Sequence, residues 1–428
     1  MRKSIFRTVS VFDTLPGMTT TPSQTAPPTR ALRLARLSTF GFFTLNGLLM
    51  GAWIVHIPAV EDRVQISHAV LGWLLLFLGG GAFLGMQVCG PLTDRYGSHR
   101  LVPLGGVLCS AALALPGLAH SPWTLAPALL VLGFANGCLD VSMNTHAVQV
   151  ERGYQRPVMS AFHAFFSIGG VLAALLGART LSWGWSVPAT LTGAAAAGTV
   201  VTLIAARGLL RPDPAAGGPA PAGAAAEGAP APSANAPARG RRTPSRVWAL
   251  AALALLVMLC EGVANDWSVL HLRDALDAPA ATAALAYGGF ATAMTAGRLA
   301  TDPVVARIGA VRVVRYGTAL AAAGLATASL TSWIPLALIG WTAFGLGLSG
   351  AVPQFFSAAG HLDPEASGAY VSRVAGLGYL GMLAGPAVIG PLTHLVPLQA
   401  TFLLPVAFCV VATCAAGVLA PAPRASAR

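Results

Sequence analysis

The sequence predicts an all-α membrane protein whose twelve transmembrane helices fall into two pseudo-symmetric six-helix bundles, and three observations carry that prediction. Hydrophobic residues make up 55% of the 428 and charged residues only 10%, with a mean hydropathy of +0.67; an ordinary soluble domain carries about 25% charge. Apolar stretches of roughly 20 residues, each able to cross a bilayer core of about 30 Å, recur along almost the whole chain. A single Ala/Pro/Gly-rich break, residues 207–246, leaves six such stretches on either side.

Read against turn and charge punctuation, the apolar runs place the first six helices near 38–60, 69–92, 101–119, 123–150, 158–180 and 184–206. The second six fall near 247–270, 280–302, 311–332, 334–359, 369–395 and 399–420. Residues 1–37 are polar and rich in Pro and Thr, and read as a disordered cytoplasmic tail. They hold no early apolar core, so the first helix is expected to act as an uncleaved signal anchor. Segment 207–246 is mostly Ala, Pro and Gly with basic residues at its end, a composition that cannot bury a core and reads as a flexible cytoplasmic linker. The bundles are then 38–206 and 247–420, followed by a second cytoplasmic tail at 421–428.

Charge placement orients these helices and narrows the function. The formal net charge is +11, but the basic residues stand singly between apolar segments and form no aromatic-interleaved face, which excludes a nucleic-acid partner. Of the 26 Lys and Arg, only Arg63, Arg179 and Arg273 fall on the outer side when the amino terminus is placed inside. The positive-inside rule then puts both termini in the cytoplasm. Cys89, Cys109, Cys138, Cys260, Cys409 and Cys414 all lie in expected helices without CxxC spacing, and read as small packing residues rather than metal ligands. No HExxH pair, nucleophile elbow or Walker lysine occurs, the sole lysine being Lys3. No catalytic residue, metal or cofactor is expected.

The chain also repeats a motif. GPLTDRYGSHR at 90–100 follows the second helix, and GRLATDPVVARIGAVR at 297–312 ends the eighth. Glycine permits close helix contact and a tight turn, the acid caps or pairs across the loop, and the arginines hold the segment inside. This doubled motif resembles the signature loop of the major facilitator superfamily, over roughly residues 38–420. The stretches DVSMNTHAVQVERGYQRPVMSAFHAFFSIGG, EGVANDW and SRVAGLGYLGMLAGP resemble a bacterial branch related to fucose-type sugar permeases. The resemblance implies a monomer in the bacterial cytoplasmic membrane, with two bundles around a central cavity that opens to either side in turn. It also implies a cytoplasmic gate of ion pairs, placed here on Gly90, Asp94, Arg95, Gly97, Arg100, Glu151, Arg152, Arg298 and Asp302, with Arg156 nearby. The Gly-Pro step of drug exporters is missing from SIGGVLAA in helix five, although helix eleven carries GMLAGPAVIG.

Polar residues inside the apolar runs mark the transport path, because a charge at mid-membrane costs at least about 2.5–3.5 kcal/mol. Asn136, Asp140 and Asn144 recur every four residues and share one face of helix four. Ser160, His163 and Ser167 form a stripe on helix five, and either Asp140 or His163 could carry a coupling proton; His163 could equally be a packing residue. On helix seven Glu261, Asn265 and Ser268 share a face, while Asp266 could cap the outer end or pair with Arg273. Asn46, Trp53 and His56 lie on helix one, where Trp53 is either a solute platform or an interfacial anchor. Gln354 and Tyr379 complete the candidates. The expectation is a proton-coupled secondary transporter of a small polar organic solute such as a sugar or a related compound. An uncoupled facilitator, a drug or metabolite exporter, and a transporter-fold receptor or scaffold remain open alternatives.

Overall fold

A computed structural model describes residues 29–66, 68–211 and 243–420, all helix and connecting turns with no strand among the described residues. The tails before residue 29 and after 420, and residues 212–242 of the expected linker, lie outside the described residues. The first half comprises α1 (Arg30–Val64), α2 (His68–Tyr96), α3 (Ser98–Leu118), α4 (Pro122–Tyr154), α5 (Met159–Ser182) and α6 (Val187–Ala205). The second comprises α7 (Ser245–Leu270), α8 (Ala280–Ile308), α9 (Ala310–Leu330), α10 (Ile334–Leu348), α11 (Ala351–Leu362), α12 (Ser367–Leu392), α13 (Leu398–Thr401) and α14 (Leu403–Ala415). Two spans are broken: α10 with α11 makes one crossing, and α13 with α14 another. Eleven spans are long and apolar enough to cross a bilayer by themselves. The twelfth, α8, carries Arg298, Asp302 and Arg307.

Local chemistry sets the ends of these helices. At the start of α4 the Ser121 hydroxyl accepts from the Thr124 N–H at 3.3 Å while Thr124 Oγ1 accepts from the Ser121 N–H at 3.1 Å, with Pro122 in the first turn. The break between α10 and α11 falls at Ser349 and Gly350, where Pro353 has no N–H to offer the Ser349 carbonyl. Gly97 and Gly309 turn the chain after α2 and α8 with φ of 85° and 84°, a conformation that costs an L-residue strain. The two halves thus turn their repeated motif with the same backbone.

Packing repeats as well. In the first half α1 packs on α5, α2 on α4 and α3 on α6; in the second α7 packs on α12, α8 on α10 and α9 on α14. The halves meet along α2 against α12 and α5 against α8. Each half has its own apolar core, built on Phe42, Trp53 and Phe162 in one and on Trp341, Phe344 and Phe402 in the other. The α2–α4 contact is close because Gly81 and Gly85 face the backbone of Leu130 and Phe134, and Gly133 and Gly137 face that of Leu78 and Ala82.

The end of the molecule that holds Asp94 and both glycine turns is called here the motif end, and its opposite the far end. Large apolar side chains cover the outer faces, and Trp73, Trp123, Trp183, Trp185 and Trp333 are exposed around the far end. This is the arrangement of an interfacial aromatic belt. Trp53 is no part of it: it is 1% exposed within the first-half core, so the interfacial-anchor reading of Trp53 is wrong. The expected helices also stopped short. α1 starts at Arg30 rather than near 38, and α8 runs to Ile308 rather than 302, because backbone hydrogen bonding continues into charged turns that hydropathy does not register.

Candidate functional site

Polar groups from both halves meet midway along the helices. The i, i+4, i+8 spacing on α4 does place Asn136, Asp140 and Asn144 on one buried line. The Asn144 amide donates to the Asp140 carbonyl at 2.9 Å and to Asp140 Oδ1 at 3.3 Å, which leaves Asp140 Oδ2 buried without a partner. Tyr379 on α12 reaches across from the second half. Its hydroxyl lies beside the Asn136 side chain and within electrostatic range of Asp140 and Glu261.

Glu261 on α7 continues this cluster through Arg298 on α8. The Arg298 Nη2 donates to Glu261 Oε1 at 3.3 Å, and its Nη1 donates across the halves to Ser167 on α5 at 3.0 Å. This is a correction for Arg298, which was expected among the cytoplasmic gate pairs. It stands eleven residues before Gly309, about 16 Å up the helix from the turn at 1.5 Å per residue. His163 lies near Arg298, with its ring 5.2 Å from that of Phe43 and 5.7 Å from that of Phe356. Its Nδ1 bonds the Met159 carbonyl at 3.1 Å, which only a protonated nitrogen can do.

The other candidates are more scattered. Asn46 is completely buried and neither amide atom has a partner. Gln354 on α11 donates to Ser160 at 3.4 Å, a further bond between the halves. Asn265 and Asp266 are exposed one turn beyond Glu261 towards the far end, whereas Ser268 is buried. Arg273 pairs with the adjacent Asp274 at 2.6 Å rather than with Asp266, so that expected pair does not form. His56 is buried and bonds the Ala52 carbonyl of its own helix at 2.8 Å.

At the motif end, carboxylates hold helix starts across the molecule. Asp94 accepts from the Gly368 and Ala369 N–H groups of α12 at 2.6 and 2.8 Å. Asp302 accepts from those of Ser160 and Ala161 of α5 at 3.0 and 2.8 Å. Glu151 takes the preceding two on α5, Val158 at 2.9 Å and Met159 at 3.0 Å, and also bonds the Ser357 hydroxyl of α11. Four N–H groups that α5 cannot satisfy internally are therefore met by two carboxylates, one from each half. Arg152 bonds the Gly360 carbonyl, and Gly90 lies against Gly368 and Ser372 of α12.

Where a gate of ion pairs is expected, the motif end is thus joined mainly by carboxylates on backbone N–H groups. Arg95 stacks 5.2 Å from the ring of its neighbour Tyr96, Arg156 lies 5.4 Å from the Tyr154 ring, and Arg100 is exposed, so these three do not latch the halves. Sequence reading missed Ser357, although it stands one turn past Gln354 on the same helix. It also missed the receiving N–H groups, which no side-chain motif encodes. Side-chain hydrogen bonds that join the halves run from the motif end up to the Arg298 level.

Comparison with known proteins bears on this geometry. The family model for the Major Facilitator Superfamily matches residues 37–270. An uncharacterised MFS-type transporter of Yersinia pestis is 34% identical over 368 residues, 86% of this chain and 91% of that protein. The membrane protein MosC of Rhizobium meliloti is 29% identical over 88% of each chain. Among solved structures, FucP in its outward conformation superposes with a TM-score of 0.71 at 15% identity, covering 92% of this chain and all of FucP. A second FucP structure, that of the Escherichia coli fucose:proton symporter, gives 0.71 at 14% identity.

Proposed function

Because the chain belongs to the major facilitator superfamily of membrane transporters, we propose that it is a proton-coupled carrier of a small polar organic solute bound midway between its halves. One observation carries this reading: a polar cluster from both halves, in which Asn136, Asp140 and Asn144 of α4 lie near Tyr379 of α12 while Arg298 joins Glu261 to Ser167 across the halves, at the depth where the bilayer is most hostile to charge. Several of its atoms are buried without partners, namely Asp140 Oδ2, Asn136 Oδ1, Asn144 Oδ1 and Arg298 Nε. Buried polar atoms of this kind are costly unless something binds them.

Asp140 is the coupling carboxylate in this account. It has no cationic partner, so it can take up and release a proton as the solute binds and leaves. Glu261 is already engaged by Arg298 and His163 by its own helix. Asn46, Asn136, Asn144, Gln354 and Tyr379 supply the hydrogen bonds of a solute site, and Asn265 and Asp266 line the approach from the far end. The likeness to the outward form of FucP and the closed motif end support an occluding gate on the cytoplasmic side, with the motif end and both termini inside. The excess of Lys and Arg at that end supports the same orientation. That FucP is a fucose:proton symporter supports both the coupling ion and a hydroxyl-rich solute.

The test is internal pH in proteoliposomes as sugars, sugar acids and amphipathic amines are added outside, with Asp140→Asn beside the parent. The expected result is a solute-dependent pH change in the parent that Asp140→Asn abolishes while some counterflow of the solute persists. Solute flux with no pH change in either protein would refute proton coupling and leave a facilitator.

A further inference from the structure

Arg298 is buried, its side chain 11% exposed, yet its bonding is incomplete. Of five guanidinium N–H groups, one reaches Ser167 at 3.0 Å and one makes a single 3.3 Å contact with Glu261, while Nε is buried with no partner. A guanidinium paired for stability alone would normally take a carboxylate side-on with two parallel bonds. A buried ion pair left this thin is weak support for a fold. On α4 of the first half, the unpartnered side-chain atoms are all acceptors: Asp140 Oδ2, Asn136 Oδ1 and Asn144 Oδ1. The cluster therefore offers an open cationic edge on the second half and a row of hydroxyl acceptors on the first.

We propose that the solute is a hydroxylated carboxylate of the sugar-acid class and that Arg298 is the residue that selects it. This rests on the transporter reading above. The solute carboxylate takes the Nε–H edge of Arg298 side-on, replacing the single contact made by Glu261, and the solute hydroxyls donate to the α4 oxygens. A phosphate dianion is a poorer match, because this cluster supplies one guanidinium and the only lysine of the chain is Lys3. No covalent step is involved.

The experiment is initial-rate uptake of gluconate, of neutral glucitol and of glucosamine by proteoliposomes bearing the parent, Arg298→Gln, Arg298→Lys or Glu261→Gln. The parent is expected to prefer gluconate. Arg298→Lys should raise the gluconate KM by about 10- to 100-fold, as expected when a bidentate charged contact is lost, and the glucitol KM by a smaller factor. Glu261→Gln, which removes the competing carboxylate, should lower the gluconate KM. These two variants carry the test even if Arg298→Gln does not fold. Uptake of glucitol or glucosamine in preference to gluconate would overturn the inference and leave the transporter reading standing, as would an Arg298→Lys defect equal for all three solutes, the mark of a mere latch. Flux of none of the three, across the wider panel as well, would sink both.

Discussion

Asp94 and Asp302 each hold a helix that belongs to the opposite half. A carboxylate on a helix start is worth about 1–2 kcal/mol, and two transporter states need differ by only a few kcal/mol. Asp94→Asn is therefore expected to enlarge the population open at the motif end by roughly 5- to 30-fold, read as faster alkylation of a cysteine placed at Glu365. His163 sets a second residue-scale prediction. Its ring is clamped between Phe43 and Phe356 with Nδ1 bonded to its own helix, so His163→Gln should retain solute-dependent proton uptake that Asp140→Asn loses. Loss in His163→Gln and retention in Asp140→Asn would reverse the two roles. At this scale the α4 line was legible, because a four-residue spacing on a helix is geometry. The position of Arg298 was misread because it was grouped by motif rather than by its depth above the turn.

The α2–α4 seam shows what an element needs that composition does not reveal. A Cβ on Gly137 would run into the Ala82 backbone, whereas one on Gly80 meets nothing within 4 Å. Gly137→Ala should therefore lower the yield of folded protein sharply on detergent size-exclusion chromatography, while Gly80→Ala should match or slightly exceed the parent, since Ala is better than Gly in a helix by about 1 kcal/mol. Equal yields would mean that the seam can open without loss. Helix number and direction were readable because each crossing needs about 20 apolar residues. Helix ends were not, nor was the break at Ser349, although Pro353 is its local cause. Proline within a spanning helix is common, and its effect depends on which neighbours take up the freed carbonyl.

For the whole molecule, the repeated motif made the two halves visible, and the matching helix partners of each half follow from that repetition. What one chain of letters could not give is which surfaces face each other across the halves. The contacts of Asp302 with α5, of Arg298 with Ser167 and of Tyr379 with Asn136 join residues 131 to 243 positions apart, with no shared periodicity. All of these lie from mid-depth to the motif end. In the proposed transport cycle, the bonds at the motif end break as the far end closes.

The most direct measurement is therefore double electron–electron resonance on two spin-label pairs, Arg95 with Glu365 at the motif end and Asp62 with Arg273 at the far end. It would use a Cys414→Ser background, since Cys414 is the exposed cysteine among the described residues. Distances would be compared between the parent and Asp94→Asn/Asp302→Asn. The account predicts that the double variant gains a longer motif-end distance and a shorter far-end distance in the same proportion of molecules. A longer motif-end distance with the far end unchanged, or no change at either end, would contradict it.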